Sequence, residues 1–279
     1  MAICIIVGLA LGSFINALVW RLHEQGKARP QGKAKSKPKS DDLSITKGRS
    51  MCIHCHHTLA WYDLIPVISW LTLRGRCRYC SKPIGWQYPV VELATAILFA
   101  LSYKAWDRPL DGANLITLIV WLGILVGLLA LFVYDLRWMM LPNRIIKPLA
   151  SLALLYALVT IINADSPLHA LIQVLLAVLV LGGLFWALFQ ISGGNWIGGG
   201  DVKLGFVLGL LAATPVQAVL LLFLASVLGT LVAIPLMVAH KAKTTTRLPF
   251  GPFLITACVV VVLYGQQIIT WYNHLFLIN

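Results

Sequence analysis

The stretch Asn195-Trp196-Ile197-Gly198-Gly199-Gly200-Asp201-Val202-Lys203-Leu204 sets a carboxylate directly behind three glycines, at the head of a strongly apolar run. Burying a charge beside lipid is costly unless it faces water or a partner, so an acid in this position is a functional candidate. The partner that the chain offers is Asp135, which closes the apolar run 118–134 and precedes Leu136-Arg137-Trp138. Two readings of the pair are open. Either each aspartate marks a solvated helix end, or the two meet at one membrane face as a dyad that shares a proton and activates water.

The chain around this stretch has the composition of a membrane protein. Of its 279 residues 59% are hydrophobic and 11% charged, with a mean hydropathy of +0.84, outside the range of soluble domains. A bilayer core of ~30 Å takes about 20 apolar residues per helix. The sequence offers eight candidate runs, roughly 1–20, 89–106, 114–134, 145–163, 168–190, 202–213, 215–238 and 252–272. The alternating strands of a membrane barrel are absent. The expected fold is therefore an all-α polytopic membrane protein with eight transmembrane helices. Basic residues follow the first run, beginning with Arg21, and no small-residue cleavage site is present, which predicts an uncleaved span with the N-terminus outside. Eight crossings return the C-terminus to that side.

Charge supports this topology. The segments 21–88, 135–147, 191–203 and 239–251 are then cytoplasmic and hold 13, three, one and three cations, 20 of the 22 Lys and Arg; Lys104 and Arg108 remain outside. That is the positive-inside bias, so the net charge of +12 reflects orientation in a lipid bilayer and not nucleic-acid binding. Fusing 202–213 with 215–238 would give seven spans and send Lys241, Lys243 and Arg247 outside, against the same rule. Thr214-Pro215 also marks a turn between them.

The chain divides into a first transmembrane helix (1–20), a basic flexible cytoplasmic loop (21–49), a small cytoplasmic domain (50–88) and a seven-helix core (89–279). In the loop, 26–40 is rich in Lys, Pro, Gly and Ser; it is either attracted to anionic headgroups or a plain solvated linker. The small domain turns to Cys, His, Trp, Tyr and Arg, and a unit of its size needs a staple. Cys52-Ile53-His54-Cys55 and Cys77-Arg78-Tyr79-Cys80 form two CxxC pairs separated by the 21 residues 56–76. Four thiolates in that pattern suit one tetrahedral structural zinc, and a reducing cytoplasm argues against the competing disulfides. His54, His56 and His57 stand as alternative donors for one sulfur. Cys4 and Cys258 lie in apolar spans as small core residues.

Trp61-Tyr62-Asp63-Leu64-Ile65-Pro66-Val67-Ile68-Ser69-Trp70 is amphipathic enough to lie at headgroup depth. Arg74, Arg76 and Arg78 beside it either bind an anionic ligand or simply face the cytoplasm. Glu92 opens the second span, where a helix dipole tolerates a carboxylate. Gly12-Ser13-Phe14 and Asn16 in the first span suggest close helix packing. Pro252 fits the first turn of the last span.

The sixth run has a geometric consequence. The 13 residues 201–213 rise only roughly 20 Å at ~1.5 Å each, against a ~30 Å core. If Thr214-Pro215 reaches the outer interface, Asp201 lies about 10 Å below the cytoplasmic surface by the same estimate. Gly198, Gly199 and Gly200 are then expected as an extended, re-entrant approach to a hydrated cavity. A shallow turn under a thinned bilayer is the alternative.

These residues together resemble a family, the type IV prepilin peptidases, membrane aspartic proteases of the Gly-x-Gly-Asp class. The matching stretches are Gly12-Ser13-Phe14-Ile15-Asn16 with Arg21, the double CxxC around Trp61-Tyr62-Asp63 and Ser69-Trp70-Leu71, Arg74-Gly75-Arg76-Cys77 and Tyr88-Pro89-Val90-Val91-Glu92. They continue with Asp135 before Leu141-Pro142, then Gly198-Gly199-Gly200-Asp201-Val202-Lys203-Leu204, and Pro249-Phe250-Gly251-Pro252. The resemblance implies eight membrane helices, Asp135 and Asp201 as the catalytic pair, and cleavage of the basic leader of a type IV prepilin or pseudopilin at the cytoplasmic face of the bacterial inner membrane. Gly198, Gly199, Gly200 and Lys203 would form the active-site loop, with Glu92 and Asn16 in supporting places. It further implies N-methylation of the new N-terminus with S-adenosylmethionine. Asn143 departs from the pattern, standing where an Asp often follows Leu-Pro; Ile197 and Ile53-His54 depart in smaller ways. Two rival classes carry weight without the resemblance: a proton-coupled transporter with an aspartate relay, and a structural assembly protein. No matching pair of broken spans in two halves supports the transporter.

Overall fold

The computed structural model describes residues 1–27, 44, 48–106, 109–110, 112–239 and 248–276. The expected flexible stretch 26–40 lies outside the described residues beyond position 27, as do Arg108, Lys241, Lys243 and Arg247. Among the described residues the chain is helical, with no strand beyond two isolated bridges. It forms two compact units, 1–104 and 105–279.

The first unit contains α1 (Ala2–Lys27), α2 (Ile68–Thr72) and α3 (Gln87–Ala105), with a 3-10 turn at Trp61–Leu64. α1 packs on α3 through small residues. A Cβ on Gly8 would lie 2.7 Å from Ala96 Cα, and one on Gly12 would lie 2.6 Å from Glu92 Cα. Only hydrogen at these positions lets the two backbones approach so closely. Asn16 adds a polar tie, donating to the Tyr88 carbonyl at 3.1 Å and accepting from Gln87 Nε2 at 3.3 Å.

The second unit contains α4 (Gly112–Trp138), α5 (Asn143–Ile162), α6 (Pro167–Val178), α7 (Leu184–Ser192), α8 (Gly199–Ala212), α9 (Pro215–Val238) and α10 (Gly251–Phe276). One π-turn, Leu179–Gly183, joins α6 to α7. Local signals set the ends. Thr214 caps α9, its Oγ1 accepting from the Gln217 N–H at 3.3 Å, and Pro215 follows at the first helical position. Gly193, at φ 57°, closes α7 in the left-handed conformation.

Short α8 is the centre of this unit, packed by α5, α6, α7, α9 and α10. Leu204, Leu208 and Ala212 are fully buried. Its glycines allow the crowding: a Cβ on Gly205 would meet the Phe185 ring at 2.6 Å, and one on Gly209 would meet Val178 Cα at 2.6 Å. A helix of 14 residues spans about 21 Å at ~1.5 Å per residue, so its neighbours and not lipid surround much of it.

Six helical stretches are long and apolar enough to cross a membrane: Ala2–Gly26, Gly112–Trp138, Asn143–Ile162, Pro167–Ser192, Pro215–Val238 and Gly251–Leu275. The other two expected spans are helical as well, as α3 and α8. α8 is too short to meet the length that defines the six, and α3 carries Glu92 and Lys104 within 19 residues. The first helix runs past its expected end at residue 20, to Lys27.

Candidate active site and metal centre

Both aspartates lie in the second unit. Asp135 is in the last turn of α4, facing inward and 5% exposed. Asp201 is in the first turn of α8. The Asp201 charge acts on Asp135, so the fold sets the two carboxylates within electrostatic reach of each other.

Each carboxylate is held at a helix N-terminus. Gly198 caps α8, which makes Asp201 the third helical residue, and its side chain reaches back to accept the Gly198 N–H. That is the acidic half of a capping box, and it satisfies one donor that the helix leaves free. The Asp135 carboxylate accepts the N–H of Gly251, the first residue of α10. The positive ends of two helix dipoles therefore face the pair. The space at Gly251 admits no side chain, since a Cβ there would lie 2.5 Å from Asp135 Oδ2.

The glycine run behaves differently from the expected extended approach. Gly198 is extended, at φ −73° and ψ 144°, but Gly199 and Gly200 already belong to α8. Helical dihedrals there give Asp201 its reach back to the cap. Gly200 also makes room for the neighbouring loop: its Cβ would stand 3.0 Å from Leu141 Cβ. Lys203, two residues beyond Asp201, donates from Nζ to Asn143 Oδ1 at 2.9 Å and ties α8 to the start of α5. Gly198, Gly200, Asp201 and Lys203 thus gather with Leu141 and Asn143, and Asp135 joins them through Asp201.

Glu92 and Asn16 lie in the first unit. Glu92 does not open its helix, because α3 begins at Gln87. A dipole at the helix start cannot account for it. Glu92 is 6% exposed, and its carboxylate accepts the Val67 N–H at 2.7 Å and the Ser13 hydroxyl. Val67 has φ 61°, a strained backbone for a β-branched residue.

The cysteine module consists of two matching turns. Cys52 N–H donates to the His57 carbonyl at 3.0 Å and Cys77 N–H to the Lys82 carbonyl at 2.9 Å; His56 N–H returns to Cys52 O at 3.0 Å and Ser81 N–H to Cys77 O at 2.9 Å. His56 and Ser81 both take φ 55°. Each CxxC is therefore one tight knuckle, and the pair presents four sulfurs within 4.8 Å of one another. The Cys52 and Cys80 sulfurs are 3.9 Å apart. A tetrahedral zinc with Zn–S bonds of ~2.3 Å has sulfur–sulfur edges of about 3.8 Å, so the donor set fits that ion.

Burial raises the Cys52 thiol. At Cys77 burial acts the same way, but N–H groups of Cys80 and Tyr79 and the thiols of Cys52 and Cys80 outweigh it and lower the group to about 7. The cluster is made of cysteines; His57 instead stacks on Tyr79 with ring centroids 3.7 Å apart. Arg78 pairs with Asp63 at 2.8 Å and lies over the Tyr62 ring.

Gly251 stood in the sequence only as part of the stretch Pro249-Phe250-Gly251-Pro252; the structure sets its N–H against the Asp135 carboxylate. Its signal was a glycine between Phe250 and Pro252 in a first helical turn, where alanine would otherwise serve.

Comparison with known proteins covers most of the chain. Residues 6–106 match the Bacterial Peptidase A24 N-terminal domain and residues 121–234 the Type IV leader peptidase family. A protein of Aeromonas hydrophila named prepilin leader peptidase/N-methyltransferase is 34% identical over 276 residues, covering 96% of this chain and 92% of that protein. Proteins of the same name from Stutzerimonas stutzeri and Pseudomonas aeruginosa are 33% and 31% identical, each over 96% of this chain and over 92% and 91% of their own length. No solved structure matches. Such likeness along nearly the whole chain, through both the cysteine module and the helices that bear the aspartates, makes this protein a member of the type IV leader peptidase family.

Proposed function

We propose that this chain is a membrane aspartic endopeptidase that cleaves the leader of type IV prepilins or pseudopilins and then N-methylates the new N-terminus. The observation that carries the reading is that Asp135 and Asp201 lie within electrostatic reach, each carboxylate seated at a helix N-terminus. The relatives' shared name supports both activities.

In this reading the pair works as one titrating unit. One aspartate, ionised, takes a proton from water as its oxygen attacks the scissile carbonyl carbon; the other, protonated, donates to the carbonyl oxygen. The carbon–nitrogen bond then breaks and the leaving amine takes a proton. Gly251 and Gly198 hold the carboxylates in place, and Lys203 fixes the loop through Asn143.

Four thiolates with the edge length of a zinc tetrahedron support a structural zinc at Cys52, Cys55, Cys77 and Cys80. S-adenosylmethionine supplies the methyl group: the amine nitrogen takes it as the carbon–sulfur bond breaks, the bonding pair remaining on sulfur. The ammonium so formed releases its proton to water.

We place the protein in the bacterial inner membrane with eight spans, α3 and α8 joining the six longer helices. Residues 21–49 and the metal module 50–88 then lie in the cytoplasm, and residues 89–279 supply the remaining seven spans. The distribution of Lys and Arg supports this orientation. Incubating the detergent-solubilised protein with a prepilin-like peptide tests the reading: mass spectrometry should find the peptide shortened by its leader. An uncut peptide, with a proton flux in vesicles, would favour the transporter.

A further inference from the structure

In the first unit α1 and α3 run antiparallel, with Gly8 against Ala96, Gly12 against Glu92 and Asn16 against Tyr88. That register gauges depth. Lys104, in the last turn of α3, is 12 positions beyond Glu92; at ~1.5 Å per residue this is about 18 Å, which leaves about 12 Å of a ~30 Å core on the cytoplasmic side. Arg21, the first cation after the apolar run of α1, is nine positions beyond Gly12, or about 13 Å on the same scale. The two measures agree, so the backbone at Glu92 lies about 12 Å inside the hydrocarbon.

The cysteine module is tied to that level. Val67 N–H donates to the Glu92 carboxylate at 2.7 Å. Helical side chains lean toward the helix N-terminus by up to one turn of ~5 Å, which sets Val67 roughly 7 Å or more below the cytoplasmic edge of the core. The stretch around it, Leu64-Ile65-Pro66-Val67-Ile68-Ser69-Trp70-Leu71-Thr72-Leu73, carries no charge. Ile65, Ile68 and Leu71, at a spacing of three, are 36%, 59% and 60% exposed, while Ser69 and Trp70 line a cavity inside the unit. Charges stand at both ends: Asp63, paired with Arg78 at 2.8 Å, precedes the stretch, and the exposed Arg74 and Arg76 follow it.

The backbone at the tip meets the demand that hydrocarbon makes, that its donors be satisfied within the protein. Pro66 has no N–H. Val67 N–H goes to Glu92, Ile68 N–H to the Pro66 carbonyl at 2.6 Å and Ser69 N–H to the Ile65 carbonyl at 3.1 Å. The φ of 61° at Val67 is strained for a β-branched residue, and it is held where its N–H meets the carboxylate.

We propose that residues 64–73 form a re-entrant element that dips into the cytoplasmic leaflet, with Ile65, Ile68 and Leu71 against lipid acyl chains and Glu92 satisfying its tip. Val90 and Leu93 of α3, on either side of Glu92, are likewise exposed at this depth, so lipid that covers them also meets the stripe. The proposal rests on α1 and α3 crossing the bilayer as placed above. It takes one edge of the metal module below the headgroup level that its amphipathic sequence suggests.

The test uses the full-length, metal-loaded protein in phospholipid nanodiscs, with a photoreactive benzophenone amino acid placed in turn at Ile68, Leu71, Ile97 and Lys82. Mass spectrometry reads lipid adducts, and fragmentation locates the link on acyl chain or headgroup. Ile97 reports on the span of α3 and Lys82 on the water side of the second knuckle. Ile68 and Leu71 should link to acyl chains with a yield within about threefold of Ile97 and at least about tenfold above Lys82. Acyl links at Ile97 with none at Ile68 and Leu71, or with headgroup links alone there, overturn the re-entrant element and keep the span. No acyl link at Ile97 removes α3 from the bilayer and the proposal with it. Glu92→Leu leaves the Val67 N–H without its acceptor and should cut the Ile68 yield about fivefold, whereas Glu92→Gln, which still accepts, should keep it. An unchanged yield in Glu92→Leu refutes the part given to Glu92.

Discussion

Gly251 donates its backbone N–H to the Asp135 carboxylate, and a Cβ on Gly251 would stand 2.5 Å from Asp135 Oδ2. Gly251→Ala should therefore push the carboxylate aside while sparing the helices. Misplacing a catalytic group by about 1 Å costs on the order of 100-fold in rate, and that is the expected loss in leader cleavage. A steady-state peptide assay checks it, with thermal unfolding of the variant as the control; cleavage within twofold of the wild type would contradict the geometry.

The dyad itself predicts that Asp135→Asn and Asp201→Asn each lower cleavage by at least about 100-fold. Asn keeps the shape of the side chain and cannot cycle a proton. Both variants should extract from the membrane as folded protein. Near-normal turnover by either would remove that residue from the mechanism.

Gly199 is exposed at the first helical position of α8, and a Cβ there would make only ordinary contact with Phe189, at 3.7 Å. Gly199→Cys should fold. In a background without the native cysteines that still folds, it should react readily with a small water-borne thiol reagent and slowly with a bulky one if the start of α8 lines a narrow hydrated space in the membrane. Equal, fast labelling by both would instead place the loop at an open surface.

Metal loss should separate the two activities. Cys52→Ser or Cys77→Ser removes a ligand on which the small module's folding depends, so atomic emission should find the metal gone. Methyl transfer, read as a 14 Da gain on the product, should fail with it. Peptide cleavage should survive at least in part, since Asp135 and Asp201 take no support from the cysteines. Full methylation by a metal-free variant would refute the link.

A small gain is expected at the first knuckle. His56 sits exposed at φ 55°, and glycine relieves the roughly 1 kcal/mol that a left-handed residue costs. His56→Gly should retain the metal about fivefold more tightly against a competing chelator. Weaker retention would make the imidazole a contributor to the site.

By itself the sequence determined what depends on local composition and spacing. Apolar runs of membrane length become helices wherever they stand, because a lipid-facing backbone must satisfy its own hydrogen bonds; all eight runs are helical. The two CxxC motifs also needed no distant information, since each knuckle closes within six residues, Cys52 to His57 and Cys77 to Lys82. Tertiary structure decided what depends on which helices meet. Glu92 reads as a helix-start carboxylate until α3 is seen to begin at Gln87, with Val67 supplying the N–H from 25 positions away. Gly251 reads only as the residue before Pro252 in the stretch Pro249-Phe250-Gly251-Pro252 until α10 is set against α4 and its N–H reaches Asp135. The glycines before Asp201 suit an extended or a helical backbone equally, because residues without Cβ favour neither strongly. The capping geometry of α8, packed by five neighbouring helices, selected the helix and aimed the carboxylate.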